Sequence, residues 1–215
     1  FVSDPDYANK GQVFCYWVKQ IGTNFWQSNP VSILPPDYVS QKENINYGKD
    51  IAISDNIVLV SSDALDTNSN TGNVYYFSYN YNTKQITYIM NYNNQDNVSS
   101  FGDKISLQST YAFISSPNSS ITSGPIYTDT GKIYIFSNSG DNGFIIDSVQ
   151  GNDYNFGQEM FFSDVYGIVT SSTDNPENII SLFKGSESKW NYISSFNITS
   201  LGIDNYTSGQ EGSSI

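Results

Sequence analysis

The sequence predicts an all-β fold, a β-propeller or part of one, made of four-stranded antiparallel blades. Three observations predict it. Aromatic residues make up 15% of the chain, most of them Tyr (17) and Phe (13), and these favour pleated, half-buried strands. Short apolar runs recur between clusters of Asn, Ser, Thr, Asp and Gly, which are the residues of turns. The same phrase then returns at a constant period. Tyr47-Gly48, Phe101-Gly102 and Phe156-Gly157 stand 54 and 55 residues apart, and each opens a series of four short runs. A period near 50 residues with four strands per repeat describes a propeller blade, and no segment has helical periodicity.

Residues 1–215 read as a single propeller domain or a part of one. The first blade, 1–40, is partial. Phe1-Val-Ser-Asp-Pro5 matches Phe113-Ile-Ser-Ser-Pro117, and Gly11-Gln-Val-Phe-Cys-Tyr16 matches Gly131-Lys-Ile-Tyr-Ile-Phe136. The chain therefore starts inside a repeat and is expected to be a fragment or a processed product. Its last run, Val31-Ser-Ile-Leu34, stops at Pro35-Pro36, where backbone donors are missing.

The second blade, 47–98, has runs at Tyr47–Ile53, Ile57–Val60, Gly72–Phe77 and Gln85–Met90, with a tight turn at Ser54-Asp55-Asn56. The third, 101–153, opens at Phe101 and continues through Tyr111–Ile114 and Gly131–Phe136 to Gly143–Ile146. Its loop from Asn118 to Thr130 is longer than its counterparts. The fourth, 156–205, runs through Tyr166–Val169, Asn178–Phe183 and Trp190–Ile193, with Asn178 where the other blades have Gly72 and Gly131. Both residues tolerate positive φ, so the change is mild. Residues 208–215 resemble Phe156-Gly-Gln-Glu159 without the aromatic. They are expected to open a further blade or to complete the first one, within the chain or between chains by strand addition.

Charge and composition exclude several functions. The net charge is −12, with nine Lys and no Arg, so nucleic acid is not an expected partner. There is no His, which removes the commonest general base and transition-metal ligand. The single Cys15 forms neither an internal disulfide nor a thiolate zinc site, and is expected to be a small residue on a strand. No run of 18 apolar residues exists, so no membrane-spanning helix is expected.

The repeated phrase resembles the FG-GAP repeat, the blade unit of integrin-α-like propellers. The likeness lies in Tyr47-Gly48, Phe101-Gly102 and Phe156-Gly157 followed by Ile-x-Ile/Leu in the first two, then an apolar run into Ser-Ser, then Gly72 or Gly131 before Val/Ile-Tyr. Trp26 and Trp190 near the outer strands add to it. In this reading Tyr47, Phe101, Phe156, Tyr75 and Tyr134 are packing residues, and Gly72 and Gly131 let the backbone turn into the third strand. The resemblance implies a non-catalytic binding or adhesion module, extracellular or at the cell surface, with a protein or glycan ligand. A structural, glycosylated, self-assembling subunit of a surface layer or filament is the alternative. A carbohydrate-active enzyme, using paired carboxylates, is a distant third, because nothing in the sequence pairs two loop acids.

Calcium is the cofactor the resemblance raises, but the usual Asp-rich loops are absent. The corresponding turns, Ser54-Asp55-Asn56, Gln108-Ser109-Thr110 and Ser163-Asp164-Val165, are too short to supply six or more oxygens, so no cofactor is expected. Asp63, Asp66 and Asn68 form a weak alternative cation site. Four glycosylation sequons begin at Asn97, Asn118, Asn197 and Asn205. All four fall in expected loops or at strand ends, where an acceptor is exposed.

Overall fold

The computed structural model describes residues 1–17, 30–36, 45–63, 72–92, 100–119, 130–137, 145–150, 155–171, 178–186 and 189–198. The chain is all-β, and the one helical element among these residues is a 3-10 turn at Tyr7–Asn9. Sheet 1 is three-stranded, with β1 (Val2–Asp4), β2 (Gln12–Cys15) and β3 (Val31–Ile33). Sheet 2 holds β4 (Ile51–Ser54), β5 (Ile57–Ser62), β6 (Asn73–Asn80) and β7 (Gln85–Tyr92). Sheet 3 holds β8 (Ile105–Leu107), β9 (Tyr111–Ser116), β10 (Lys132–Ser137) and β11 (Ile145–Gln150). Sheet 4 holds β12 (Met160–Phe162), β13 (Tyr166–Ser171), β14 (Ile179–Ser186) and β15 (Lys189–Asn197). Each sheet is an antiparallel meander in chain order, and the segment 208–215 lies outside the described residues.

The first two strands of sheets 2, 3 and 4 are joined by two-residue turns. Ser54 pairs with Ile57 across Asp55-Asn56, the Gln108 amide donates to Tyr111 O, and the Ser163 amide donates to Tyr166 O. Asp55 has φ +50°, a conformation that Asp reaches more easily than most residues. A bulge falls at one equivalent place in all three, beside Phe77, Phe136 and Phe183. In each case an Ile is the extra residue of the outer strand: Ile89, Ile146 and Ile193. An inserted residue increases the local twist.

Pairing register makes the sheets superimposable position by position. Val2, Val60, Ile114 and Val169 sit opposite Phe14, Tyr75, Tyr134 and Ser181. Alternation then gives each sheet a face towards the following sheet and a face towards the preceding one. Three apolar cores result. Val13, Cys15, Ile33, Tyr47, Val58, Val60, Tyr75 and Phe77 fill the space between sheets 1 and 2. Leu59, Val74, Tyr76, Tyr92, Phe101, Ile114, Tyr134 and Phe136 fill that between sheets 2 and 3. Phe113, Ile133, Ile135, Phe156, Phe162, Val169, Phe183 and Trp190 fill the third. β8 packs beside both β4 and β12, so the short first strands form one continuous side of the molecule.

The aromatic-Gly turn couples neighbouring sheets. Asn46, Ser100 and Asn155 have φ near +50 to +60°, and Gly48, Gly102 and Gly157 have φ +91°, +86° and +94°. The buried Tyr47, Phe101 or Phe156 stands between the two. Each turn is tied to its own sheet by a backbone hydrogen bond, the amides of Gly48, Gly102 and Gly157 donating to Ser61 O, Ser115 O and Thr170 O.

Of the glycines before the third strands, Gly131 and Gly11 have the left-handed backbone expected of glycine, φ +75° and +85°, and a further reason applies to all three. Gly72 has no left-handed φ. A Cβ there would lie 1.8 Å from the carbonyl oxygen of Phe101, and a Cβ on Gly131 would lie 2.1 Å from that of Phe156. Gly11 meets Tyr47 O at the same 2.1 Å. These glycines are needed because the next repeat's backbone lies against them.

Candidate functional site

A groove lies at one end of sheet 2. Asn56, from the β4–β5 turn, faces Ser78, Tyr79, Asn80, Tyr81, Gln85 and Thr87, from β6, β7 and the turn between them. The cavity measures about 440 Å³, within the range of small-molecule sites. Cross-strand pairing places Ser78 opposite Thr87 and Asn80 opposite Gln85, which gathers four neutral hydrogen-bonding side chains on one surface.

The groove is held open by its own frame. The Tyr79 hydroxyl donates to Asp55 O at 2.5 Å, and the Tyr79 amide donates to Asn56 O at 2.8 Å. Together they fasten the β4–β5 turn to β6. The Asn80 carboxamide oxygen accepts from the amides of Asn82 and Thr83 at 3.0 and 3.1 Å, an Asx-type turn that commits the oxygen and leaves the Nδ2 group as its donor. Tyr81, 62% exposed, stands at the rim with its ring edge-on to Trp17 at 5.8 Å. None of the lining residues is charged.

The acidic and basic side chains gather elsewhere, along the seams between sheets. Lys49 pairs with Asp103 at 2.7 Å and Asp63 at 2.9 Å, and Lys104 pairs with Glu159 at 3.1 Å. Burial alone would lower the Lys49 and Lys104 ammonium groups. Their carboxylate partners reverse this and leave both raised. These pairs are partly exposed, so each contributes up to about 1 kcal/mol. Asp50 Oδ2 accepts the amide of Ile105 at 2.7 Å, across the seam of sheets 2 and 3.

Burial pushes the Asp50 carboxyl up from its ordinary 3.8, and the Ile105 amide offsets this only in part. The folded chain therefore holds that proton more tightly than the unfolded chain does. Asp50's contribution is fully present below the ordinary value and is lost as the pH rises through the folded value. Asp50→Asn keeps an acceptor for Ile105 and removes the titration. The difference in urea midpoint between variant and wild type is expected to change across the acid range just above 3.8 and to be flat above it. A difference that does not depend on pH would show that Asp50 titrates alike in both states.

The residues singled out from sequence are scattered over this framework. The Asp63 carboxylate accepts from Asn46 Nδ2 at 2.6 Å and Lys49 Nζ at 2.9 Å, so it braces the aromatic-Gly turn of sheet 2. Asp66 and Asn68 lie outside the described residues. Among the described residues no three of His, Cys, Asp and Glu come together. Asn118, exposed after β9, donates through Nδ2 to Ser100 Oγ at 2.8 Å. Asn197 is the last residue of β15, opposite Ile179. Asn97 and Asn205, like most of the 118–130 loop, lie outside the described residues. Cys15 is a buried free thiol, pushed up by desolvation. No helix among the described residues is long and apolar enough to cross a membrane.

The groove escaped the sequence reading because its residues are ordinary turn and strand residues. The one available signal was local: Tyr79-Asn80-Tyr81-Asn82 places two aromatics and two amides at a hairpin. No protein-family model matches the chain, and no curated protein is similar to it in sequence.

Proposed function

We propose that this chain is a non-catalytic binding module of FG-GAP propeller type, displayed outside the cell, and that the groove on sheet 2 takes a neutral glycan. The groove's lining carries the proposal: Ser, Thr, Asn and Gln side chains with an exposed Tyr at the rim and no charge. Sugar hydroxyls need paired donors and acceptors, which amides and hydroxyls supply, and an aromatic ring offers an apolar face to a sugar's C–H surface. The net charge of −12 disfavours polyanionic ligands. The propeller reading is supported by four successive sheets stacked face to face, with the first strands of sheets 2, 3 and 4 side by side and an aromatic-Gly turn at each of the three seams.

The test is titration of the chain with a panel of neutral hexose and N-acetylhexosamine oligosaccharides, followed by calorimetry or NMR. At least one member is expected to bind, and Gln85→Ala to weaken it tenfold or more with no loss of stability, since Gln85 is exposed; Tyr81→Ala is expected to weaken it likewise while also losing the ring contact with Trp17. Absence of binding across the panel, or binding untouched by both substitutions, overturns the glycan assignment.

A second reading, a self-assembling subunit of a layer or filament, is favoured by one observation. Both end sheets expose apolar faces, with Val2 on sheet 1 at 54% and Phe161 on sheet 4 at 66%.

A further inference from the structure

The groove on sheet 2 has an aromatic backing that comes from sheet 1. Register carries Trp17, three residues beyond Phe14, onto Ser78, Ser137 and Lys184, which lie three residues beyond Tyr75, Tyr134 and Ser181. Those three residues are polar and half-buried or exposed, whereas Trp17 is 4% exposed. One repeat position thus changes from a polar residue at the surface to a buried indole. The repeat pattern alone does not ask for it, so the reason is local to this seam.

What Trp17 touches supplies that reason. Its ring stands edge-on to Tyr79 at 6.3 Å and to Tyr81 at 5.8 Å, and both tyrosines line the groove. Tyr79 is fixed in other ways too, by Phe1 edge-on at 5.5 Å and by its bonds to the β4–β5 turn. Tyr81 lies past the last ladder pair of β6 and β7, Asn80 with Gln85, in the turn between them. A side chain on such a turn keeps its rotamer freedom unless something packs against it. Trp17 is that packing surface, and Tyr81 still leaves 62% of its area open to a ligand.

The seam between sheets 3 and 4 shows the same framework without these rings. Ser137 of sheet 3 stands at the place of Trp17. Gly185 of sheet 4 stands at that of Tyr79, its amide donating to Val165 O at 2.7 Å as the Tyr79 amide donates to Asn56 O at 2.8 Å. The indole and the tyrosine change together, on two different sheets, and they meet across one seam.

We infer that Trp17 is a positioning residue of the groove, so that the glycan site is composite: its lining comes from sheet 2 and its aromatic platform is set by sheet 1. The inference rests on the glycan reading and deepens it. Trp17 acts through Tyr81, holding that ring in one orientation before the ligand arrives. A pyranose ring then stacks on a surface already ordered, and the cost of fixing the side chain does not fall on binding.

The test compares Trp17→Leu, which keeps apolar bulk but removes the ring, with Trp17→Phe, which keeps a ring. The first readout needs no ligand: the ring signals of Tyr81 in NMR, assigned by their loss in Tyr81→Phe. Trp17→Leu is expected to move them to the values of an unpacked tyrosine, and Trp17→Phe to leave them near wild type. The second readout is affinity for neutral oligosaccharides of glucose, galactose and N-acetylglucosamine. Trp17→Leu is expected to weaken the best binder among them about tenfold, and Trp17→Phe to recover most of the loss. Gln85→Ala is expected to weaken binding with the Tyr81 signals unmoved. In the wild type, ring-to-ring NOEs between Trp17 and Tyr81 are expected in the free chain and in the sugar complex, a check that requires no variant. Absent NOEs, or Tyr81 signals that stay put in Trp17→Leu, overturn the positioning role whatever the sugars do. Signals that move while affinity is kept overturn it as well. A wild type with packed Tyr81 signals that binds none of the sugars overturns the glycan reading itself, and the composite site with it.

Discussion

Gly131→Ala is expected to destabilise the fold by about 3 kcal/mol or more, a loss at the high end for one methyl group. Two effects combine. Gly131 has φ +75°, where an L-residue costs about 1–2 kcal/mol. The new Cβ would also lie 2.1 Å from Phe156 O, 2.7 Å from its nitrogen and 2.9 Å from its carbonyl carbon. These are backbone atoms of a turn fixed by bonds from Gly157 to Thr170 O and from Gln158 to Asn155 O, both 3.0 Å, so no side-chain rotation relieves the overlap. Gly102→Ala is the control. It has the same left-handed backbone, φ +86°, but its nearest neighbours are side-chain atoms of Val74 and Ser61 at 3.0 and 3.3 Å. Its loss is expected to be about 1–2 kcal/mol. Urea denaturation with an unchanged m-value reads the difference directly. Equal losses would sink the view that the neighbouring repeat's backbone, over and above the φ angle, demands glycine at 131.

This pair also marks where the sequence could be read and where it could not. The meander was legible because strand and turn residues alternate at a fixed period, and Tyr47, Phe101 and Phe156 announce each unit. The backbone freedom of Gly131 was legible, but the close approach that demands glycine at both Gly72 and Gly131 was not. It depends on a contact with a residue 25 or more positions further on, and a single repeat carries no trace of its neighbour. The seam charges were visible only after alignment. Asp50, Lys104 and Glu159 occupy one repeat position with alternating sign, and the last two form an ion pair. The role Asp63 plays in the fold was hidden for a related reason. An acid near other acids suggests a cation, but the partners that engage it, Asn46 and Lys49, precede it in the chain and meet it through the fold. Beyond the local signal of Tyr79-Asn80-Tyr81-Asn82, the groove was not legible, because Asn56 and Gln85 become neighbours only when two turns of one sheet end side by side.

Phe113→Ala is expected to cost about 3–5 kcal/mol, the range for emptying a fully buried phenylalanine site. Phe113 lies on β9 with no exposure. Its ring stacks on Phe162 of sheet 4 at 3.9 Å with the planes 8° apart, and meets Trp190 at 5.0 Å edge-on. Phe162 lies against Gly167, where even a Cβ would fall 2.2 Å from the ring, and Trp190 lies against Gly185 in the same way. For a chain of this length each kcal/mol corresponds to about 2–4 °C in Tm, so a fall of about 10 °C is expected by calorimetry. Repeats that touch only their neighbours are coupled through such seams, and weakening this one is expected to broaden or split the transition as sheet 4 separates first. A loss under about 1 kcal/mol would mean that the two sheets close over the gap. Ile168 completes the comparison, since it holds Phe113's position one repeat later but is 43% exposed. At concentrations where the chain is dispersed, Ile168→Ala is expected to change stability by no more than about 0.5 kcal/mol. One repeat position would then carry a large and a negligible effect, decided by whether another sheet covers it.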